Sequence, residues 1–167
     1  MVGIDNLVAA GVHTTLNFVA CKPNLGDLVP LVHTIADRWP SAELSISFIA
    51  PSTDLVPRDP ALVPRYAEAL PVIAEAVALA AKLGVRVTGF ESMCGLPLCL
   101  VPGSLASYAA LPDLPAGFDR GEFLKPAGCE RCALEKKCYG LRRGYAEMHG
   151  VEELAPIDHT GVISSQP

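Results

Sequence analysis

Five of the six cysteines of the chain fall in two short segments, and thiols are the side chains here whose spacing most directly implies chemistry. The segment "GCERCALEKKC" places Cys129, Cys132 and Cys138 in a C-x2-C-x5-C pattern, and "CGLPLC" upstream contains Cys94 and Cys99. A C-x2-C turn brings two thiolates to one side of the backbone, as tetrahedral metal sites require. We therefore predict a metal site with four thiolate ligands, three of them from the second segment.

The first segment offers two candidates for the fourth ligand. We prefer Cys99, because a Gly and a Pro precede it and fix a turn, and because it lies nearer the segment that must fold back; Cys94 is the alternative ligand. Cys21 stands alone and is expected to have no role. The spacing does not choose between zinc and an iron–sulfur cluster, since both accept four thiolates.

Composition limits the classes of function. The chain has 167 residues, of which 50% are hydrophobic and 19% charged, which predicts one folded domain, with or without a small appendage, and excludes a disordered chain. A net charge of −5 disfavours a nucleic-acid partner. The most apolar stretch is interrupted by Glu75 and Lys82, and no signal peptide is recognised, so we expect no membrane association and a cytoplasmic location, where thiols stay reduced.

Apolar strands alternate with amphipathic helices in the first 90 residues. This alternation predicts an α/β fold with a parallel sheet, in which sites form at the carboxyl ends of the strands. We expect Pro71 to kink or split the third helix. The expected elements are a helix at 3–10, a strand at 12–20, a helix from Asp27, a strand at 42–50, a helix between Asp59 and Gly84, and a strand at 85–90.

The sequence changes character after Cys99. Residues 100–128 are rich in Pro, Gly and small side chains and show weak periodicity, which predicts an irregular segment that a metal holds in place. Three strands are few, since a complete barrel needs about eight, and no internal repeat supplies more. We interpret the chain as the C-terminal portion of a larger fold, or as one half of a split fold.

The second cysteine segment and its flanks, "FLKPAGCERCALEKKCYGLRRGYAEMHGVEELAPI", resemble the C-terminal region of radical SAM enzymes that carry a SPASM or twitch-type auxiliary cluster. The strands and helices before it resemble the second half of the partial (β/α) barrel of that family. The resemblance implies a half-barrel over 1–92, an irregular Cys-rich metal-binding extension over 93–157 and a disordered tail over 158–167. The positions that match the family pattern are Cys99, Cys129, Cys132, Cys138, Gly140, Tyr145, Gly150, Glu153 and Pro156.

The resemblance also implies a function. It predicts an auxiliary [4Fe–4S] cluster that serves electron transfer or structural support in the radical-based modification of a peptide or small molecule. By position, Asn17, Asn24 and the loop 50–54 would face SAM and substrate. The ligands of the cluster would be Cys99, Cys129, Cys132 and Cys138, with Cys94 as the alternative.

The chain departs from the family in one important respect. It contains neither the C-x3-C-x2-C motif of the catalytic cluster nor a Gly-Gly-Glu-type segment for SAM. We therefore expect no SAM cleavage by this chain alone, and SAM binding only where a partner supplies the N-terminal half. The expected partners are that half and a peptide or small-molecule substrate. The alternative is a non-catalytic domain with a structural four-cysteine zinc site.

Overall fold

A computed structural model describes residues 1–49, 51, 58–102, 108–119 and 121–158. Within these ranges helices and strands alternate through the first 88 residues, as predicted. The elements are α1 (Val2–Ala9), β1 (Thr15–Ala20), α2 (Leu28–Arg38), β2 (Glu43–Phe48), α3 (Tyr66–Leu83), β3 (Val87–Thr88), β4 (Phe123–Leu124), β5 (Leu141–Arg142) and α4 (Arg143–His149). Short 3-10 helices cover Lys22–Asp27, Leu98–Leu100 and Ala127–Arg131.

The first three strands form a parallel sheet in the order β1-β2-β3, which confirms the prediction of a parallel sheet. Side chains alternate between its two faces, so that Phe18 and Ile46 are buried. The opposite face is polar: Ser47 Oγ donates a hydrogen bond to Asn17 Oδ1 over 3.0 Å. One face of the sheet is therefore part of the core, and the other carries hydrogen-bonding side chains.

Helices α2 and α3 pack on the apolar face of the sheet. Leu28, Val32 and Ile35 lie on one side of α2 at helical spacing and are fully buried. In α3, Ile73 is buried among alanines that let the helix approach closely. The predicted split at Pro71 is wrong, because α3 runs unbroken past it, and the helix begins at Tyr66, later than Asp59.

Strand β3 is shorter than its predicted range of 85–90. It covers Val87 and Thr88 and is followed by Gly89, which has a φ of 104°. A Cβ at Gly89 would lie 2.7 Å from the Ile46 carbonyl oxygen, so the backbone packs directly on β2 at this point. The strand ends where this left-handed residue turns the chain away from the ladder.

The predicted half of a partial barrel is wrong. The parallel sheet has three strands, the third of only two residues, and the other sheet among the described residues is the antiparallel pair β4-β5. The predicted irregular extension is also incorrect: Leu134, Leu141 and Tyr145 are buried in the same apolar core as Leu44 of β2. The apolar residues of the C-terminal segment lack periodicity, yet they are buried through contacts that are distant in sequence.

The predicted domain boundaries and the predicted disordered tail are not tested by the described residues. The domain boundaries at residues 92 and 157 remain predictions, and the tail beyond Asp158 lies outside the described residues. Of the helices that the structure describes, none has both the length and the apolar composition needed to cross a membrane.

Candidate metal centre

Four cysteines from the two predicted segments line one cavity. Cys99, Cys129, Cys132 and Cys138 line a cavity of about 20 Å³ that is partly open to solvent. The remaining wall residues are Pro97, Lys125, Leu134, Glu135, Gly140, Leu154 and Pro156. The cavity therefore combines four thiols with an apolar wall and a single cation–carboxylate pair, in which Lys125 Nζ lies 3.4 Å from Glu135 Oε1.

Short turns position three of these thiols. Cys129 lies in the 3-10 helix Ala127–Arg131, and the amide of Cys132 closes that turn by donating to the Cys129 carbonyl over 3.0 Å. The amide of Cys138 donates to the Leu134 carbonyl over 2.9 Å in a second turn, just before β5. The fourth thiol, Cys99, sits in the 3-10 helix Leu98–Leu100. Each thiol thus lies at a tight turn, which the C-x2-C spacing predicts for Cys129 and Cys132.

Backbone amides donate hydrogen bonds to the sulfur atoms. Cys138 Sγ accepts from the Leu98 and Gly140 amides, each at an N···S distance of 3.3 Å. Cys132 Sγ accepts from the Ile157 amide over 3.4 Å. Such donors stabilise negative charge on sulfur, and they orient the ligands of metal and iron–sulfur sites.

Gly140 is required by this arrangement. Its φ is 92°, and a Cβ there would lie 2.6 Å from the Leu124 carbonyl oxygen. A side chain at this position would be strained by the left-handed conformation and would also collide with backbone. Only glycine allows its amide to point at Cys138 while the chain passes against β4.

Burial disfavours the charged form of three of these thiols, those of Cys99, Cys129 and Cys138. It raises the pKa of Cys99 to about 11, against the opposing effect of the Ala155 amide hydrogen bond, and the neighbouring cysteines raise it further. Burial also raises the pKa of Cys129, as it does that of Cys138, where the Leu98 and Gly140 amides oppose it. Without a metal these thiols are therefore neutral at pH 7, and metal binding must displace their protons.

Across the described ranges, no group of three or more His, Cys, Asp or Glu side chains is arranged so that it could hold a metal ion. The donor set nevertheless fits an iron–sulfur cluster in its chemistry, since such clusters take four thiolates and inorganic sulfide, and amide donors to sulfur tune them.

Cys94 and Cys21 do not line this cavity. Cys94 is exposed, and its Sγ lies 3.9 Å from Nη2 of Arg142, a buried cation that also pairs with Glu122 at 2.5 Å. Cys21 directly follows β1 and is half-buried. The preference for Cys99 over Cys94 remains a prediction, but only Cys99 lies among the other three thiols.

Asn17 and Asn24 have structural partners in this fold. Asn17 accepts from Ser47 on the polar sheet face, and Asn24 Oδ1 accepts the Cys21 amide over 2.9 Å. Asn24 Nδ2 donates to the Val19 carbonyl over 3.0 Å, so this side chain covers the carboxyl end of β1. Their predicted orientation toward SAM stays untested, and the loop 50–54 lies outside the described residues except for Pro51.

One network near the site was not identified by spacing. The Tyr145 hydroxyl donates to Glu153 and accepts the Tyr66 amide over 2.7 Å, and Glu153 Oε1 accepts the Ala67 amide over 2.9 Å. The first amides of α3 thus find hydrogen-bond acceptors on side chains of the C-terminal segment, which also carries three of the cysteines. Only the resemblance pointed to Tyr145 and Glu153, because nothing in their local spacing predicts that they cap a helix 79 and 86 residues upstream.

Searches against protein family models, curated proteins and solved structures find no match for this chain.

Proposed function

We propose that the chain binds one [4Fe–4S] cluster through Cys99, Cys129, Cys132 and Cys138, and that the cluster serves electron transfer or structural support. The observation that carries the proposal is the shared cavity lined by all four thiols. Two segments that are separated by 29 residues of sequence reach this one cavity, although the intervening chain has no regular periodicity.

The resemblance, and not the geometry of the cavity, favours a cluster over a single ion. A tetrahedral zinc at about 2.3 Å from each sulfur requires four thiolates that nearly touch. A cubane places its own iron and sulfide atoms between the thiolates, so its ligands must surround a volume. The four thiols line one cavity, and this donor set suits either group.

The protein environment suits a redox group. The apolar wall, which includes Leu134 and Leu154, limits access of water, and the amides of Leu98, Gly140 and Ile157 donate to the thiolates. A [4Fe–4S] cluster supplies one-electron transfer, and hydrogen bonds to its sulfurs set its reduction potential. The chain would therefore hold the four ligands, exclude solvent and stabilise their negative charge.

We extend the proposal to a radical SAM context, in which the chain assists the modification of a peptide or small molecule. This extension is supported by the cysteine segment and its flanking residues, which resemble the auxiliary-cluster region of that family. Cleavage of SAM needs three further cysteines around an open iron. The remaining thiols, Cys21 and Cys94, are too few, so we expect no release of 5′-deoxyadenosine by this chain alone.

Anaerobic reconstitution with iron and sulfide tests the proposal. We expect a brown protein with a broad absorbance near ~400 nm, from thiolate-to-iron charge transfer. A paramagnetic signal that appears on reduction and disappears on reoxidation would support electron transfer, and a cluster that cannot be cycled would support a structural role. A colourless, iron-free product contradicts both, and bound zinc without iron selects the structural zinc site.

A further inference from the structure

One short segment of the chain contacts both the thiols and the first turn of α3. We call residues 153–157 the bridging segment; it follows a turn in which the Leu154 amide donates to the Val151 carbonyl over 3.1 Å. Leu154 and Pro156 line the cysteine cavity, whereas Glu153 accepts an amide of α3. Two distant parts of the fold therefore depend on the same few residues.

The carboxyl-terminal end of the bridging segment holds two of the thiols. The Ile157 amide donates to Cys132 Sγ over 3.4 Å, and the Ile157 carbonyl accepts the Ala133 amide over 2.8 Å. The Ala155 amide donates to Cys99. A thiolate that binds a metal accepts a hydrogen bond more strongly than a neutral thiol does, so metal binding should fix this end of the segment.

The amino-terminal end of the bridging segment caps α3. The N-cap position of this helix holds Arg65, whose side chain has no acceptor for the first amides. The Tyr66 amide donates instead to the Tyr145 hydroxyl over 2.7 Å, and this hydroxyl donates to Glu153. The Ala67 amide donates to Glu153 Oε1 over 2.9 Å. Two of the amides that a helix leaves unsatisfied in its first turn thus depend on Glu153, one directly and one through a hydroxyl.

The first turn of α3 is connected in turn to the carboxyl end of the parallel sheet. Glu68 Oε1 lies 3.2 Å from Lys22 Nζ, and the Lys22 amide donates to the Leu62 carbonyl over 2.9 Å. Lys22 comes two residues after Ala20, the last residue of β1. Sites in parallel sheets form at this edge, so a change in the first turn of α3 reaches the part of the fold where a ligand would bind.

We propose that metal binding at the four thiols is coupled to the capping of α3 through the bridging segment. With metal bound, the segment is held and Glu153 caps the helix; without metal, the segment is released and the first turn of α3 frays. The coupling is reciprocal, since a contact that forms only in the metal-bound state also strengthens metal binding. This inference rests on the proposed four-thiol site, but it applies equally to zinc and to an iron–sulfur cluster.

Hydrogen exchange at single amides tests the coupling in the full chain, with and without Zn²⁺ as the probe. Zn²⁺ should slow exchange at Tyr66 and Ala67 in the unsubstituted chain beyond any change at Ile35 in α2, whose amide reports global stability. In Glu153→Ala, Zn²⁺ should still slow exchange at Gly140, whose amide donates to a thiol, but no longer at Tyr66 and Ala67. This difference separates the coupling from a general stabilisation of the fold.

The affinity for Zn²⁺, measured anaerobically by competition with a chelator, gives a second readout. Glu153→Ala should weaken Zn²⁺ binding about fivefold or more, the lower end of typical coupling between linked sites. The matched control is Glu152→Ala, which removes the adjacent, exposed carboxylate and should bind Zn²⁺ as the unsubstituted chain does. Tyr145→Phe removes only the hydroxyl between Tyr66 and Glu153; it should weaken binding in the same direction, and it replaces Glu153→Ala if that variant does not fold.

The outcomes distinguish the coupling from the site on which it rests. Equal Zn²⁺ affinities of Glu153→Ala and Glu152→Ala, or equal protection of Tyr66 by Zn²⁺ in both variants, would overturn the coupling and leave the thiol site intact. A chain that takes up neither Zn²⁺ nor, on reconstitution, iron and sulfide would contradict the thiol site and the coupling together. If iron and sulfide bind and Zn²⁺ does not, the same exchange comparison on the reconstituted chain decides.

Discussion

The Leu98 amide donates a hydrogen bond to Cys138 Sγ over 3.3 Å and so joins the two cysteine segments across 40 residues of sequence. Residues close to each partner are also part of the site, since Cys99 follows Leu98 and lines the same cavity, and Gly140, two residues after Cys138, donates to the same sulfur. Each segment therefore provides thiols, and each also provides backbone donors to them.

Cys138→Ala should abolish metal retention, because it removes a ligand that two amides orient and leaves both amides without an acceptor. We expect protease to cleave the variant within residues 121–157 under conditions in which the metal-loaded chain is intact. Metal content by mass spectrometry and limited proteolysis measure the two effects.

Cys94→Ala is the matched control, because its thiol is exposed and lies outside the cavity. It should retain the metal, and Cys99→Ala should lose it. If Cys94→Ala loses as much metal as Cys99→Ala, the assignment of the fourth ligand is wrong.

Gly140→Ala should destabilise the chain more than Gly117→Ala does. Both glycines have positive φ, 92° and 74°, so both substitutions introduce backbone strain of about 1 kcal/mol or more. Only at Gly140 does the new Cβ also meet a carbonyl oxygen, that of Leu124, whereas Gly117 has open space. Urea unfolding gives the two free energies of unfolding; equal values would contradict the close approach at β4.

The metal-free chain should lose stability as the pH rises from about 9 to about 11. Burial raises the folded-state pKa of Cys99 from 9.0 to about 11. A raised pKa stabilises the folded state fully below the unfolded-state value, and this contribution disappears as pH rises through the folded-state value. Thermal unfolding at several pH values measures the trend.

Cys99→Ala isolates the contribution of Cys99, because burial also raises the pKa of Cys129 and Cys138, and of Tyr145 and Tyr66 above their ordinary value of 10.0, so these groups add to the same trend. The variant should show a flatter dependence between pH 9 and 11 than the unsubstituted chain. Identical profiles would show that the Cys99 thiol is not held neutral by burial.

Tyr145→Phe should loosen the first turn of α3, because the Tyr66 amide then lacks its acceptor and Glu153 loses one of its two donors. We expect a loss of about 1–3 kcal/mol in the free energy of unfolding, typical of a buried group left without a partner. Hydrogen exchange at the Tyr66 and Ala67 amides should accelerate. Glu75→Gln, on the exposed face of the same helix, should change neither, and a similar effect there would contradict the role of the cap.

Periodicity predicted much of the parallel sheet and its helices. Leu28, Val32 and Ile35 lie on one helical face in the sequence and on one buried face in the structure. The same reasoning overestimated the length of β3, because the left-handed φ of Gly89 and the close approach of this residue to Ile46 depend on tertiary contacts. The half-barrel was wrong for another reason: it came from the resemblance and not from a count of strands.

The candidate site was predicted in part by spacing. The C-x2-C turn at Cys129 and Cys132 is local, so sequence alone locates it. The donors from Leu98 and Ile157 to sulfur depend on how distant segments fold together, and no residue type at those positions indicates a donor.

The most direct test of the proposed cluster is the iron, sulfide and zinc content of anaerobically reconstituted chain, measured beside Cys138→Ala and Cys94→Ala. We expect about four irons and four sulfides per chain, as one [4Fe–4S] cluster requires, with the same content in Cys94→Ala and none in Cys138→Ala. One zinc per chain without iron or sulfide, or equal iron in all three proteins, would contradict the assignment of a four-cysteine iron–sulfur site.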